Sequence, residues 1–457
     1  MRPQHTSHTL GGFPVYSSSF LSSTRLVLGG GGGQGKTGVK NQLRLYDVSK
    51  PDMELTLVGE YEFEAGEDAP MSMAVDSTNE TIVCGANSSQ QAMEAGKNMH
   101  CRLFSVQGNK IDHLKSVQAM TTMTGDPYQK VTVLSPSNDV VAIGTTNNDV
   151  HLLHYPSLSR AAPVLEISAG ELFDISFSAA SVAIASSTNI FIYNLHEDKA
   201  PHENILKAKN PAASPDASGT NTPVEQGKGI PSSSKSSKKK KPSKSQSGAN
   251  GVVVEAQLES LELATTLVRP KLPKNGSAIT SFRAVRYHPN NWTTLYAVLN
   301  STSRGSRVQR KAHIVKYEWT PKLRTWTITG TCRIGEGSIT CFEISGDGAF
   351  LAYGASDCSI GIVDSRKLSP LLKILGAHEF PSTTLRFNTD RSLLVSCSAD
   401  NSVRIVTVPE KFDDRGSTTL VVFVALLSLL LAVLTQLYFQ GYLNPAVLSA
   451  TTNDTHE

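Results

Sequence analysis

No charged side chain occurs between residues 416 and 452, a gap that no ordinary surface element of a soluble domain would tolerate. Cysteine is scarce: Cys84, Cys101, Cys332, Cys341, Cys358 and Cys397 form no C-x-x-C pair and have no histidine at ligand spacing. That excludes a zinc-type centre and a thioredoxin-like redox site, and leaves reduced, mostly buried thiols of the kind a cytosolic domain carries. The net charge is only +3 over 457 residues, so nothing suggests a general nucleic-acid-binding surface and no nucleic-acid partner is expected. The N-terminal stretch MRPQHTSHTLGGF lacks an apolar run long enough for a signal sequence, so membrane insertion, if any, is expected to be directed from elsewhere.

The charge-free gap supplies that element. Residues 418–439 read TTLVVFVALLSLLLAVLTQLYF, and at ~1.5 Å rise per residue they cover roughly 33 Å, about the hydrocarbon thickness of a bilayer. The segment is too long and too uniformly apolar around its circumference for a buried core helix. Arg404, Lys411 and Arg415 precede it and no Lys or Arg follows, so residues 1–414 are expected in the cytosol and residues 440–457 as a short lumenal tail. Asn453-Asp454-Thr455 is a glycosylation sequon on the predicted lumenal side, although similar triplets at Asn79, Asn87, Asn275, Asn291 and Asn300 give it little weight.

Within residues 1–414, the stretch 210–251 departs from the pattern: it is rich in Ser, Pro, Gly, Ala and Lys and ends near SSSKSSKKKKPSKSQSG. Such a composition buries too little apolar surface to offset the entropy of ordering, and a disordered insertion is expected. Its lysines, Lys235, Lys238 to Lys241 and Lys244, suit a solvated loop, contact with anionic lipid, or imitation of a nuclear signal. Elsewhere one unit recurs seven times: a short apolar strand, a turn of small or polar residues, and a second alternating strand, as in VVAIGTTNNDVHLLHY, LAYGASDCSIGIVD and LLVSCSADNSVRIV. The spacing, about 40 to 60 residues once the insertion is discounted, is that of β-propeller blades. An all-β, seven-bladed propeller of degenerate WD repeats followed by one transmembrane helix is predicted. The usual Trp-Asp ending is missing, and only Gly376-Ala377-His378 with Asp390 and Asp400 follows the standard WD pattern. The last blade lacks an outer strand before the apolar segment, so residues near Pro3 to Leu10 are expected to supply it and close the ring. A pair of two-sheet sandwiches would not account for the regular period.

The most informative motif is the run Gly29-Gly30-Gly31-Gly32-Gly33-Gln34-Gly35-Lys36-Thr37-Gly38-Val39-Lys40-Asn41. Gly30-x4-Gly35-Lys36-Thr37 matches the phosphate-binding loop of nucleotide hydrolases. Such a loop must open a helix whose N-terminal amides hold the phosphates, whereas Leu43 to Val48 alternates as a strand. In the repeat register the run is an enlarged hairpin loop, where glycines take positive φ and bring backbone groups close to an ion or a partner.

With its degenerate propeller, GGGG-x-G-x-x-G-x-x-N loop and single C-terminal apolar segment, the chain resembles the WD-repeat guanine nucleotide exchange factors of the endoplasmic reticulum, a family similar to the prolactin regulatory element-binding protein. The resemblance implies an exchange factor, not a bond-making enzyme, that acts on the Sar-type small GTPase initiating COPII coat assembly. It also implies potassium as a cofactor in the loop, with backbone oxygens of Gly31, Gly32 and Gly38 as ligands, Asn41 as the exchange contact and Pro70 as a further GTPase contact. The acidic run Glu62, Glu64, Glu67 and Asp68 would share that face, although such a cluster by itself suits a solvated surface. A membrane-anchored propeller scaffold without exchange activity fits the same architecture; it predicts that Asn41→Ala leaves GDP release unchanged.

Overall fold

The computed structural model describes residues 3–35, 37–50, 52–121, 125–195, 261–272, 279–302, 311–412 and 418–440. Lys36, the lysine-rich insertion at 210–251, and residues 441–457 with their sequon lie outside the described residues. The described strands form seven four-stranded antiparallel sheets, each built from strands consecutive in sequence except the last. All seven hairpins of the repeating unit are the two middle strands of a sheet, for example Arg25–Gly30 with Gln42–Val48 in blade one and Phe350–Ala355 with Ile360–Asp364 in blade six.

The exception is blade seven, where strands Ser382–Phe387, Leu393–Ser398 and Ser402–Thr407 are joined in space by the N-terminal strand His5–Thr9. Its antiparallel register runs from His5 opposite Val406 to Thr9 opposite Ser402. The chain therefore closes the ring as expected, with the N-terminal strand as the outer strand of blade seven.

The core lies between blades. Second strands such as Val140–Thr145, Phe350–Ala355 and Leu393–Ser398 are buried at every position, because each is covered by a neighbouring blade on both faces; hence continuous apolar runs rather than alternation. The seam between blades seven and one shows the packing: Phe13, Val15, Leu26 and Leu28 meet Leu393, Val395, Val403 and Ile405. Within blade seven, His378 donates to or accepts from Ser402 Oγ at 2.6 Å and Ser396 Oγ at 2.8 Å, while Asp400 accepts the Ser402 amide at 2.9 Å and the Glu379 amide at 2.6 Å. That network explains why Gly376 to Asp400 alone keeps the standard repeat pattern.

Around the central channel, the inner strands of blades four to seven carry a buried charge chain. Arg286 is paired with Asp174 and lies 3.5 Å from Glu343, which accepts from Arg386 at 2.5 Å. Beyond blade seven, Thr418–Phe439 is one continuous α-helix. Its residues from Val422 onward are covered by no other described residue, as a span solvated by lipid requires.

Candidate functional site

Consecutive strands run antiparallel, so the connection between the second and third strands of a blade lies on the same face as the connection from one blade to the next. Two such segments meet at blade one: the glycine run, joining Arg25–Gly30 to Gln42–Val48, and residues 63–71, joining Leu55–Glu62 to Ser72–Asp76 in blade two. Beyond Thr37 the chain enters a strand and not a helix, so no helix N-terminus is available for a phosphate; the hairpin-loop reading of the glycine run is the one the fold supports.

Asn41 joins the two segments. It is only 9% exposed, and its side chain makes three hydrogen bonds. Its Oδ1 accepts from the Gly33 amide at 2.9 Å, and its Nδ2 donates to Gly33 O at 2.9 Å and to Glu67 O at 2.7 Å. The Asn41 carbonyl in turn accepts from the Phe63 amide at 2.9 Å. An amide side chain suits this place because it offers an acceptor and two donors from one planar group. Next to it, Gln34 Nε2 donates to Ser88 O at 3.1 Å, tying the loop tip to blade two. Lys40 and Glu62 form an exposed pair at 2.8 Å.

Gly31, with φ of +139°, is required by conformation and crowding, and Gly32 by crowding alone. A β-carbon on Gly31 would lie 2.7 Å from Lys40 O and overlap Asn41 Oδ1; one on Gly32 would lie 3.0 Å from Val39 O and overlap Thr37 Oγ1. The loop's own carbonyl, amide and hydroxyl oxygens therefore crowd these two glycines and leave no room for a side chain. Gly38, at φ +76°, has open space where a β-carbon would stand. No cluster of three or more His, Cys, Asp or Glu side chains suited to a metal occurs among the described residues.

Pro70 is buried, not displayed. Its carbonyl accepts from Ser17 Oγ at 2.6 Å, and its ring sits where a β-carbon on Gly29 would be 2.9 Å away. Pro70 therefore wedges the inner strands of blades one and two and sets where the 63–71 segment ends its turn. The acidic run divides. Glu62 and Glu64 are exposed, as a solvated cluster would be, but Glu67 accepts a bidentate pair from Arg102 at 2.8 and 2.6 Å, with side-chain exposures of 6% for Arg102 and 13% for Glu67. Asp68 is held above the usual carboxylate range by burial, against the opposing pull of the Ala69 and Gln34 amides.

Arg102 is the residue that sequence reasoning missed. It donates also to Ala86 O at 3.2 Å and lies 5.3 Å above the Phe63 ring, so blade two's third strand, Cys101–Gln107, anchors the segment that Asn41 holds. The one signal available was a lone cation in the apolar run CRLFSV, a position that needs a partner when buried.

The WD domain, G-beta repeat family matches residues 369–406, the stretch around the His378 network. Over 148 residues the chain is 28% identical to the guanine nucleotide-exchange factor SEC12 of Candida glabrata, covering 32% of each protein. It is 27% identical over 122 residues to SEC12-like protein 2 of Arabidopsis thaliana, covering 27% of this chain and 28% of that protein. The chain thus spans about a third of the length of the curated relatives it matches. Its resemblance is to SEC12-type WD-repeat proteins.

Proposed function

We propose that this chain is a guanine nucleotide exchange factor for a small GTPase, and specifically for the Sar-type GTPase that initiates COPII assembly on the endoplasmic reticulum membrane. The observation that carries the reading is the Asn41 clamp, which joins the glycine loop to the Glu67 segment on one face of a SEC12-like propeller. An exchange factor must bind the nucleotide-free GTPase better than the nucleotide-bound one, so that partner and nucleotide weaken each other's hold. A loop with so many glycines could make that contact only if it is ordered beforehand, since fixing each residue costs about 1 to 2 kcal/mol. Asn41 supplies that order from beneath, Arg102 and Pro70 fix the neighbouring segment, and the exposed Gly35, Thr37, Gly38 and Lys40 form the rim that meets the partner.

Potassium bound by backbone carbonyls of Gly31, Gly32 and Gly38 would add electrostatic stiffening to the same loop. The helix Thr418–Phe439 would confine exchange to one membrane, with the propeller cytosolic and the tail lumenal. The test is fluorescence-monitored GDP release from a Sar-type GTPase and several other small GTPases, using the full chain in detergent. Acceleration of the Sar-type protein alone is expected, lost in Asn41→Ala and slowed when potassium is replaced by lithium at constant ionic strength. Unaccelerated release with the wild-type chain would overturn the reading and leave a scaffold; a rate indifferent to the ion would remove potassium only.

A further inference from the structure

The face opposite the glycine loop carries the connections from first to second and from third to fourth strands, and three features gather on its sector formed by blades five to seven. The chain leaves the propeller there. Strand Ser402–Thr407 ends on this face, and Phe412 packs edge-on against Phe350 with ring centroids 5.3 Å apart. Fully extended, the chain from Phe412 to Thr418 reaches at most ~20 Å, so this sector cannot be far from whatever the apolar helix enters.

Next, the third-to-fourth connections and the exit segment display Lys322, Arg324, Arg366, Lys367 and Lys411, all exposed, with Glu410 the one exposed carboxylate among their described residues; Asp413, Asp414 and Arg415 follow in the sequence before the helix. None of the five forms an ion pair with a carboxylate among the described residues; Glu318 is paired with Lys316 at 2.7 Å, Asp347 with Arg391 at 3.1 Å, and Asp364 accepts the Lys367 amide at 2.6 Å. Arg366, Lys367 and Lys411 line one groove with Phe412, together with Glu318, Asp347, Asp364 and Glu410.

Finally, the turn Pro321-Lys322-Leu323-Arg324 displays Leu323, 68% exposed between two cations. Trp319 and Trp326 flank the turn, half-buried, with rings 5.8 Å apart, and Trp292 opens the second strand of the same blade on the same side. These are the three tryptophans of the chain. Indoles half out of an apolar core, beside an exposed leucine bracketed by cations, are what a headgroup region accommodates.

We infer that the blade five-to-seven sector rests on the anionic surface of the bilayer that holds the helix, with the 321–324 turn entering the headgroups. The glycine loop then faces away from the membrane. The inference needs the anchor but not the exchange activity, and Trp is absent from the apolar helix, so tryptophan fluorescence reports on blade five alone. The experiment reconstitutes the full chain into phosphatidylcholine vesicles with or without phosphatidylserine, using brominated or ordinary acyl chains. Brominated lipid is expected to quench the tryptophans in phosphatidylserine-containing vesicles and much less in phosphatidylcholine alone. Each cation near such a surface is worth about fivefold in occupancy, so Lys322→Gln/Arg324→Gln/Lys411→Gln should lower occupancy of the seated state on the order of a hundredfold and abolish the difference. Protein that floats with the vesicles yet shows no bromine quenching refutes the seated face. Protein that does not float refutes the anchor first, and the inference with it.

Discussion

Replacing Asn41 by alanine removes three hydrogen bonds, to the Gly33 amide, Gly33 O and Glu67 O. Each is worth about 0.5 to 1.5 kcal/mol net, and water reaches half-exposed Gly33 to replace part of the loss, so the loop should be weakened by about 2 kcal/mol. That is roughly a thirtyfold rise in the open population. The strands on either side are held by their own ladders and by inter-blade packing, so the opening is local. Amide hydrogen exchange across residues 31–41 and 63–70 should accelerate by about that factor while the buried strand Val140–Thr145 keeps its protection. Asn41→Asp separates geometry from mere occupancy. It keeps an acceptor for the Gly33 amide but sets a carboxylate oxygen against two carbonyls that now lie 2.9 and 2.7 Å from a donor, and it should open the loop further than alanine does. Wild-type exchange rates in Asn41→Ala, or a milder effect of aspartate than of alanine, would refute the clamp.

Breaking the Arg102–Glu67 pair from one side, as in Arg102→Met, should cost about 3 to 5 kcal/mol in urea unfolding because a buried carboxylate is left alone; Arg102→Met/Glu67→Leu should recover most of it. His100, His151 and His378 are each lowered to about 4, chiefly by burial, so their neutral forms favour the folded state fully above the unfolded value of about 6.5. That stability is lost as pH falls from there toward 4, with about 2 kcal/mol per histidine gone between pH 7 and pH 5, measurable as a falling urea midpoint that substitution of one histidine should flatten. Deleting residues 1–10 removes the strand paired with Ser402–Thr407. A loss on the order of 3 kcal/mol, with concentration-dependent association in light scattering, is expected from the opened edge.

The propeller and the apolar helix were legible because both are local. A hairpin announces itself through alternation and a turn within some fifteen positions, and the apolar stretch matches helix Thr418–Phe439 at both ends. Even ring closure followed from counting strands: a last blade short of one, and an N-terminal run free to fill it. The glycine run could likewise be placed as a hairpin loop from the strand patterns on either side of it. Its inner construction could not. The family resemblance implied Asn41 and Pro70 as contacts; the structure adds that Asn41 is buried with three side-chain hydrogen bonds and that Pro70 packs against Gly29. Glu67 meets Arg102 across 35 positions and Asp174 meets Arg286 across 112, separations that leave no period in a sequence. Such pairs are chosen by how strands and blades stand side by side, so only the closed ring decides them, just as only the ring brings the 321–324 turn and Phe412 onto one face.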